Sequence, residues 1–123
     1  MIKLFEKKLS STDVDKRLAV PTSSLWAFDL HGAEEVWFSA INGGMILEFC
    51  CRNRPTPEGH TRLELFGDWR RFVASKQLRA GDRVVLYKRE HEAEAEAPFI
   101  IEAQRKLMIR LLGEDIWAWV TIN

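Results

Sequence analysis

The chain has 123 residues, 46% of them hydrophobic, with five Trp and seven Phe, which is enough for one packed core and too apolar for global disorder. Eighteen basic residues balance eighteen acidic ones, so net charge neither announces a polyanionic partner nor excludes one. No apolar run nears the roughly 20 residues of a membrane span, and the N-terminus lacks a signal-peptide core, so a soluble intracellular protein with no membrane partner is expected.

In chain order, Ile2 to Leu9 reads as a first strand, and Ser10-Ser11-Thr12-Asp13 carries turn and cap chemistry. Leu18-Ala19-Val20 resumes extended structure before Pro21, which disfavours helix in the residue preceding it. Ser23 or Ser24 can cap a short helix through Phe28, and Asp29 to Glu35 is a polar loop. Val36 to Ile41 alternates as a strand, Asn42-Gly43-Gly44 supplies a positive-φ turn, and Met45 to Arg52 returns. Period two puts Met45, Leu47, Phe49 and Cys51 on one face, and Ile46, Glu48, Cys50 and Arg52 on the other. A second hairpin follows, with Pro55 to Gly59 at its tip and Arg62 to Phe66 returning, Leu63 and Leu65 inward.

Asp68 is placed to cap a helix whose Trp69, Phe72 and Val73 form one apolar stripe. Leu78 to Asp82 is a glycine-centred turn, and Arg83 to Lys88 is a further strand. Glu90 to Ala97 is acidic and low in complexity, an exposed loop. Phe99 to Ala103 and Ile116 to Ile122 are closing strands, while Lys106 to Leu112 suits either a strand or a short helix. Many short strands with glycine turns indicate a mainly β sandwich or barrel with one or two accessory helices, built as a single domain over residues 1–123.

Little in this pattern suggests an enzyme. His31, His60 and His91 lie on separate loops with no metal-ligand spacing, so no metal is expected. Phosphate-cradling and nucleophile-elbow motifs are absent, which argues against a catalytic residue, a cofactor or a small-molecule substrate. Cys50 and Cys51 are adjacent, a poor geometry for an internal bridge, and read as reduced thiols, Cys51 packing as a small hydrophobe. The charge is unevenly spread: +2 over residues 1–17, −4 over 18–51, +6 over 52–89 and −4 over 90–123. Two protrusions concentrate the basic and polar groups. One is the turn after the first strand, with Lys7, Lys8, Ser10, Ser11, Lys16 and Arg17; the other is the Pro-rich hairpin, with Arg52, Asn53, Arg54, His60 and Arg62. Arg and Asn suit base edges, and Lys and Ser suit phosphates. On composition alone, solubilising charge explains these residues equally simply. Trp117 and Trp119 share one strand face opposite Ile116, Ala118 and Val120, and either face is a candidate self-association or partner patch, homo- or hetero-oligomeric.

Residue order adds more. Lys7-Lys8-Leu9-Ser10-Ser11-Thr12-Asp13-Val14 resembles the opening motif of plant B3 domains, and Arg17-Leu18-Ala19-Val20-Pro21 resembles the segment that follows it. Trp69-Arg70-Arg71-Phe72-Val73 is similar to the family's Trp-x-x-Phe-Val helix, and Leu78 to Val84 to its Leu-x-x-Gly-Asp-x-Val turn and strand. The resemblance spans roughly residues 4–90. It implies a seven-stranded open β-barrel, a B3-like pseudobarrel with two short helices, that binds double-stranded DNA through two arms in the major groove as the DNA-binding module of a nuclear plant transcription factor. The arms would be Lys7 to Arg17 and Arg52 to Arg62, the same two protrusions. Arg52, Arg54 and Arg62 are then the groove candidates, Lys7, Lys8, Lys16 and Arg17 the phosphate candidates, and Arg70 and Arg71 a further phosphate contact at the helix start. Thr22 departs from the family's frequent Lys, and Glu58 and Glu64 place negative charge on or beside the second arm. These departures keep an alternative open, a protein-interaction barrel that has lost sequence-specific DNA binding.

Overall fold

In the computed structural model, residues 1–21, 35–59, 61–89 and 98–123 are described. The expected helix after Ser23, the loop before Glu35, the acidic run 90–97 and all three histidines lie outside them. The elements are β1 (Ile2–Lys8), α1 (Ser11–Asp15), β2 (Leu18–Ala19), β3 (Glu35–Asn42), β4 (Met45–Pro55), β5 (Thr61–Gly67), α2 (Trp69–Lys76), β6 (Arg83–Lys88), β7 (Phe99–Leu111) and β8 (Glu114–Thr121). Seven strands run in the order β1-β6-β7-β3-β4-β5-β2, and β8 pairs with β7 off that path. All pairings are antiparallel except β3 with β7, where Ala40 and Ile41 meet Phe99 and Ile100. The sheet is open and strongly curled. Curling brings its two ends together: the Lys7 ammonium on β1 donates to the Ala19 carbonyl on β2 at 2.6 Å.

Alternation decides the core. Leu47, Phe49 and Cys51 of β4, Leu63 and Leu65 of β5, Val84 and Leu86 of β6, and Ile101 and Ala103 of β7 all point inward and are buried. Burying a Leu or Phe side chain is worth about 1.5–3 kcal/mol, so a one-residue slip in any of these strands would forfeit several such terms at once. The stripe of α2 adds Trp69 and Phe72, both fully buried, with Val73 at its margin. Trp69 needs a partner for its indole N–H, and Nε1 donates to the Asp13 carbonyl at 2.7 Å, fastening α2 to α1.

Three details depart from the expectations. Cys50, assigned by parity to the outer face, is 1% exposed; it lies between Trp37 and Phe66 in the pairing register, and large neighbours cover it. Asp68 stands at the start of α2 but does not cap it; its carboxylate accepts from the Glu48 amide at 2.9 Å, where β4 runs past the end of β5. There are eight strands among the described residues, one more than expected. Of the two alternatives open for Lys106 to Leu112, the structure takes strand. The segment continues β7 to Leu111, and Leu112 and Gly113, at φ 52° and 82°, turn the chain into β8.

Candidate nucleic-acid interface

The first arm is organised by one carboxylate. Ser10 and Asp13 form a reciprocal capping box: the Ser10 hydroxyl accepts from the Asp13 amide at 3.2 Å, and Asp13 Oδ2 accepts from the Ser10 amide at 2.9 Å. Asp13 also accepts from the Ala19 amide at 3.0 Å and pairs with the Lys7 ammonium at 3.0 Å. Burial would raise its pKa, but the Ala19 and Ser10 amides and Lys7 outweigh that and hold the carboxyl below the usual value. A neutral Asp13 would leave Lys7 half-buried without its counter-charge.

The second arm is the β4–β5 hairpin. Arg54 lies directly opposite Arg62, and Arg52 opposite Glu64, so these four share the outer face. Like charges facing across a ladder repel, and the neighbouring acid relieves this. Glu64, 1% exposed, receives Arg54 at 3.5 Å and is also paired with Arg17 of the first arm. Arg17 is within 4.0 Å of Asp13 as well. One buried carboxylate therefore links the two segments and holds Arg17 and Arg54 on the same group.

The sequence candidates thus divide by what they touch. Lys7 and Arg17 are turned toward Asp13 and Glu64, and the Ser10 hydroxyl is occupied by its cap. Arg52 bonds Glu35 at 3.0 Å and lies 4.8 Å over the Phe66 ring, yet remains half-exposed. Arg54 keeps 71% of its side chain in solvent despite its contact with Glu64. Arg71 pairs with Asp68 at 3.6 Å. Lys8, Ser11, Lys16, Asn53, Arg62 and Arg70 are exposed, and none of Lys8, Lys16, Arg62 and Arg70 has an ion pair among the described residues. His60 lies outside those residues. The role of Asp13 is legible from the Ser-x-x-Asp spacing. Glu64 gives no such signal, because an outward position on β5 looks solvated until Arg17 is folded over it.

What this arrangement can do is bind. Exposed guanidinium, ammonium and amide groups on two adjacent protrusions offer hydrogen-bond donors to an anionic, groove-bearing surface. No family model matches the chain, and no curated protein matches it in sequence. Solved structures do match. One is an Arabidopsis FUS3–DNA complex, with a TM-score of 0.68 and 22% identity, covering 82% of this chain and 95% of that chain. The likeness is one of fold.

Proposed function

We propose, from a chain whose fold is the B3-type pseudobarrel, that residues 1–123 act as one double-stranded-DNA-binding domain, the module of a nuclear transcription factor. The two arms enter the major groove together. Arg54 and Arg62, paired on one outer face, reach base edges, and exposed Asn53 offers its amide from the other face of the hairpin; Lys8, Lys16 and Arg70 meet phosphates. The observation that carries this reading is the Arg17–Glu64–Arg54 link, which supports arms that move onto a duplex as one unit. The fold neighbour in complex with DNA supports it from outside.

The experiment is a titration with short duplexes at two ionic strengths. Affinity is expected to fall steeply with salt, and Lys16→Ala is expected to lower the salt slope by about one unit without changing sequence preference. Arg62→Ala is expected to cost about 1–3 kcal/mol and to relax selectivity at one position. Affinity that ignores salt would overturn the reading. A second reading has its own support: Lys7, Arg17, Arg52 and Arg54 each engage an internal carboxylate, as in a barrel that binds protein rather than DNA. It predicts a complex that survives high salt and is indifferent to Arg62→Ala.

A further inference from the structure

Glu64 is out of place on a surface that meets phosphates. It faces Arg52 across the β4–β5 ladder, beside the Arg54–Arg62 pair, on a face otherwise rich in cations. At 1% exposure its charge is little screened by water or salt. Its two oxygens serve different cations: Oε2 pairs with Arg17 Nε, and Oε1 accepts from Arg54 Nη1 at 3.5 Å.

These pairs belong to a longer series in which cations and anions alternate. Lys7 is held by Asp13, Asp13 lies within 4.0 Å of Arg17, Arg17 is held by Glu64, and Glu64 takes Arg54. The side chains of Lys7 and Arg17 are 23% and 19% exposed, and both carboxylates 1%. Arg54, at 71%, is the member that reaches solvent. Glu64 is its one ion-pair partner among the described residues, whereas Arg17 also has Asp13. Pairing of this kind alters one type of DNA contact and spares the other. Toward a phosphate, the Arg54–Glu64 pair is close to neutral, and the buried carboxylate repels the approaching anion. Toward a base edge, which carries no net charge, the guanidinium keeps the N–H groups that Glu64 leaves unused.

We propose that Glu64 determines specificity at the DNA interface: it withholds Arg54 from phosphates and presents it to a base edge, so the chain discriminates between duplexes instead of gripping all of them. Glu64 is a positioning residue that acts through Arg54 and touches no DNA itself. The inference rests on the DNA-binding reading. Phosphate attraction supplies non-specific affinity and base edges supply selectivity, so a carboxylate that suppresses the first and spares the second raises the ratio between them.

The test takes the full chain, a duplex recovered from a randomised pool and a scrambled duplex of the same composition, each titrated at several salt concentrations. Glu64→Gln keeps the side chain's size and leaves Arg17 on Asp13; thermal melting checks that it folds. It is expected to bind the scrambled duplex about five- to tenfold more tightly, with a salt slope steeper by about one unit as Arg54 gains a phosphate. Its discrimination between the duplexes is expected to fall at least about tenfold. Glu58→Gln, which removes the same charge from the exposed tip of the hairpin, is expected to move both affinities together. Arg54→Ala leaves Arg17 and Glu64 paired, and is expected to weaken binding of the recovered duplex at least about tenfold with the salt slope unchanged. A folded Glu64→Gln chain that discriminates as well as the wild type overturns the proposal. So does an equal loss of affinity for both duplexes, the result of a merely structural role. If Glu64→Gln does not fold, Arg54→Ala decides, because a slope that flattens by about one unit means Arg54 already serves a phosphate. A wild-type chain that binds neither duplex overturns the DNA-binding reading and this inference with it; one that binds both equally overturns this inference alone.

Discussion

Asp13 shows how much one short side chain can hold. It accepts from two backbone amides and a lysine, and it sits within reach of Arg17. Asp13→Ala removes the capping box and leaves two cations facing each other over a buried space, so it is expected to cost about 3 kcal/mol in urea unfolding. Asp13→Asn, which can still accept from the amides, is expected to cost less. Gly67 is constrained for a different reason. Its φ is +73°, and a Cβ there would stand 2.5 Å from the Glu48 carbonyl oxygen, a backbone atom that cannot swing away. Gly67→Ala is therefore expected to destabilise the protein by at least about 2 kcal/mol, with an unchanged dependence of stability on denaturant. The cysteines are held inert by burial. Desolvation pushes Cys51 up to about 12, and Cys50 is also raised, first by burial and then by the Glu35 carboxylate.

At the scale of elements, the β4–β5 hairpin and α2 behave as their patterns say, and the β7–β8 hairpin does not. Leu107, Met108 and Ile109 are consecutive apolar residues, which breaks period two and leaves the strand signal ambiguous. The turn is equally well hidden. Its first central residue, Leu112, has φ 52°, a conformation that favours Asn or Gly and costs a branched aliphatic residue about 1–2 kcal/mol. Leu112 is 96% exposed, so replacing it gives up no packing. Leu112→Asn is expected to stabilise the tip by roughly 0.5–1 kcal/mol. Amide hydrogen exchange across residues 111–114 would register this as about a two- to fivefold gain in protection; no gain would mean the strain is not stored there.

Across the whole molecule, buried carboxylates tie distant segments together. Asp13 joins β1, α1 and β2, while Asp82 accepts from the Arg79 amide at 3.0 Å and from Arg105 at the base of β7. Burial alone would raise Asp82; Arg105 and the Arg79 amide reverse that and hold it below the usual value, as with Asp13. Each carboxyl binds its proton less readily folded than unfolded, so the unfolded chain takes up more protons over the intervening range. The stabilisation is complete above the ordinary carboxylate pKa of about 4 and is lost as pH falls through the lowered folded values. Thermal midpoints are expected to be nearly flat from about pH 5 to 8 and to drop below about pH 4. A drop centred near neutral pH would point to other groups. The same ties bear on function, because the arms are braced from inside the protein, by Glu64 and Asp13, before any partner arrives.

Local chemistry was enough to place most elements: the alternation in β4 and β5, the apolar stripe of α2, the glycine turn at Gly43 and the Ser10–Asp13 cap depend on neighbours a few residues away. The two protrusions were legible for the same reason, since runs such as Arg52-Asn53-Arg54 advertise their polarity without reference to the fold. Tertiary structure alone decided which of those cations stay free. Arg17 and Arg54 lie 37 positions apart, and only the curled sheet brings both onto Glu64. It also decided that β7 would extend past its neighbours. The energy of a charge or an apolar face depends on what covers it, and covering is settled by contacts between segments remote in the chain.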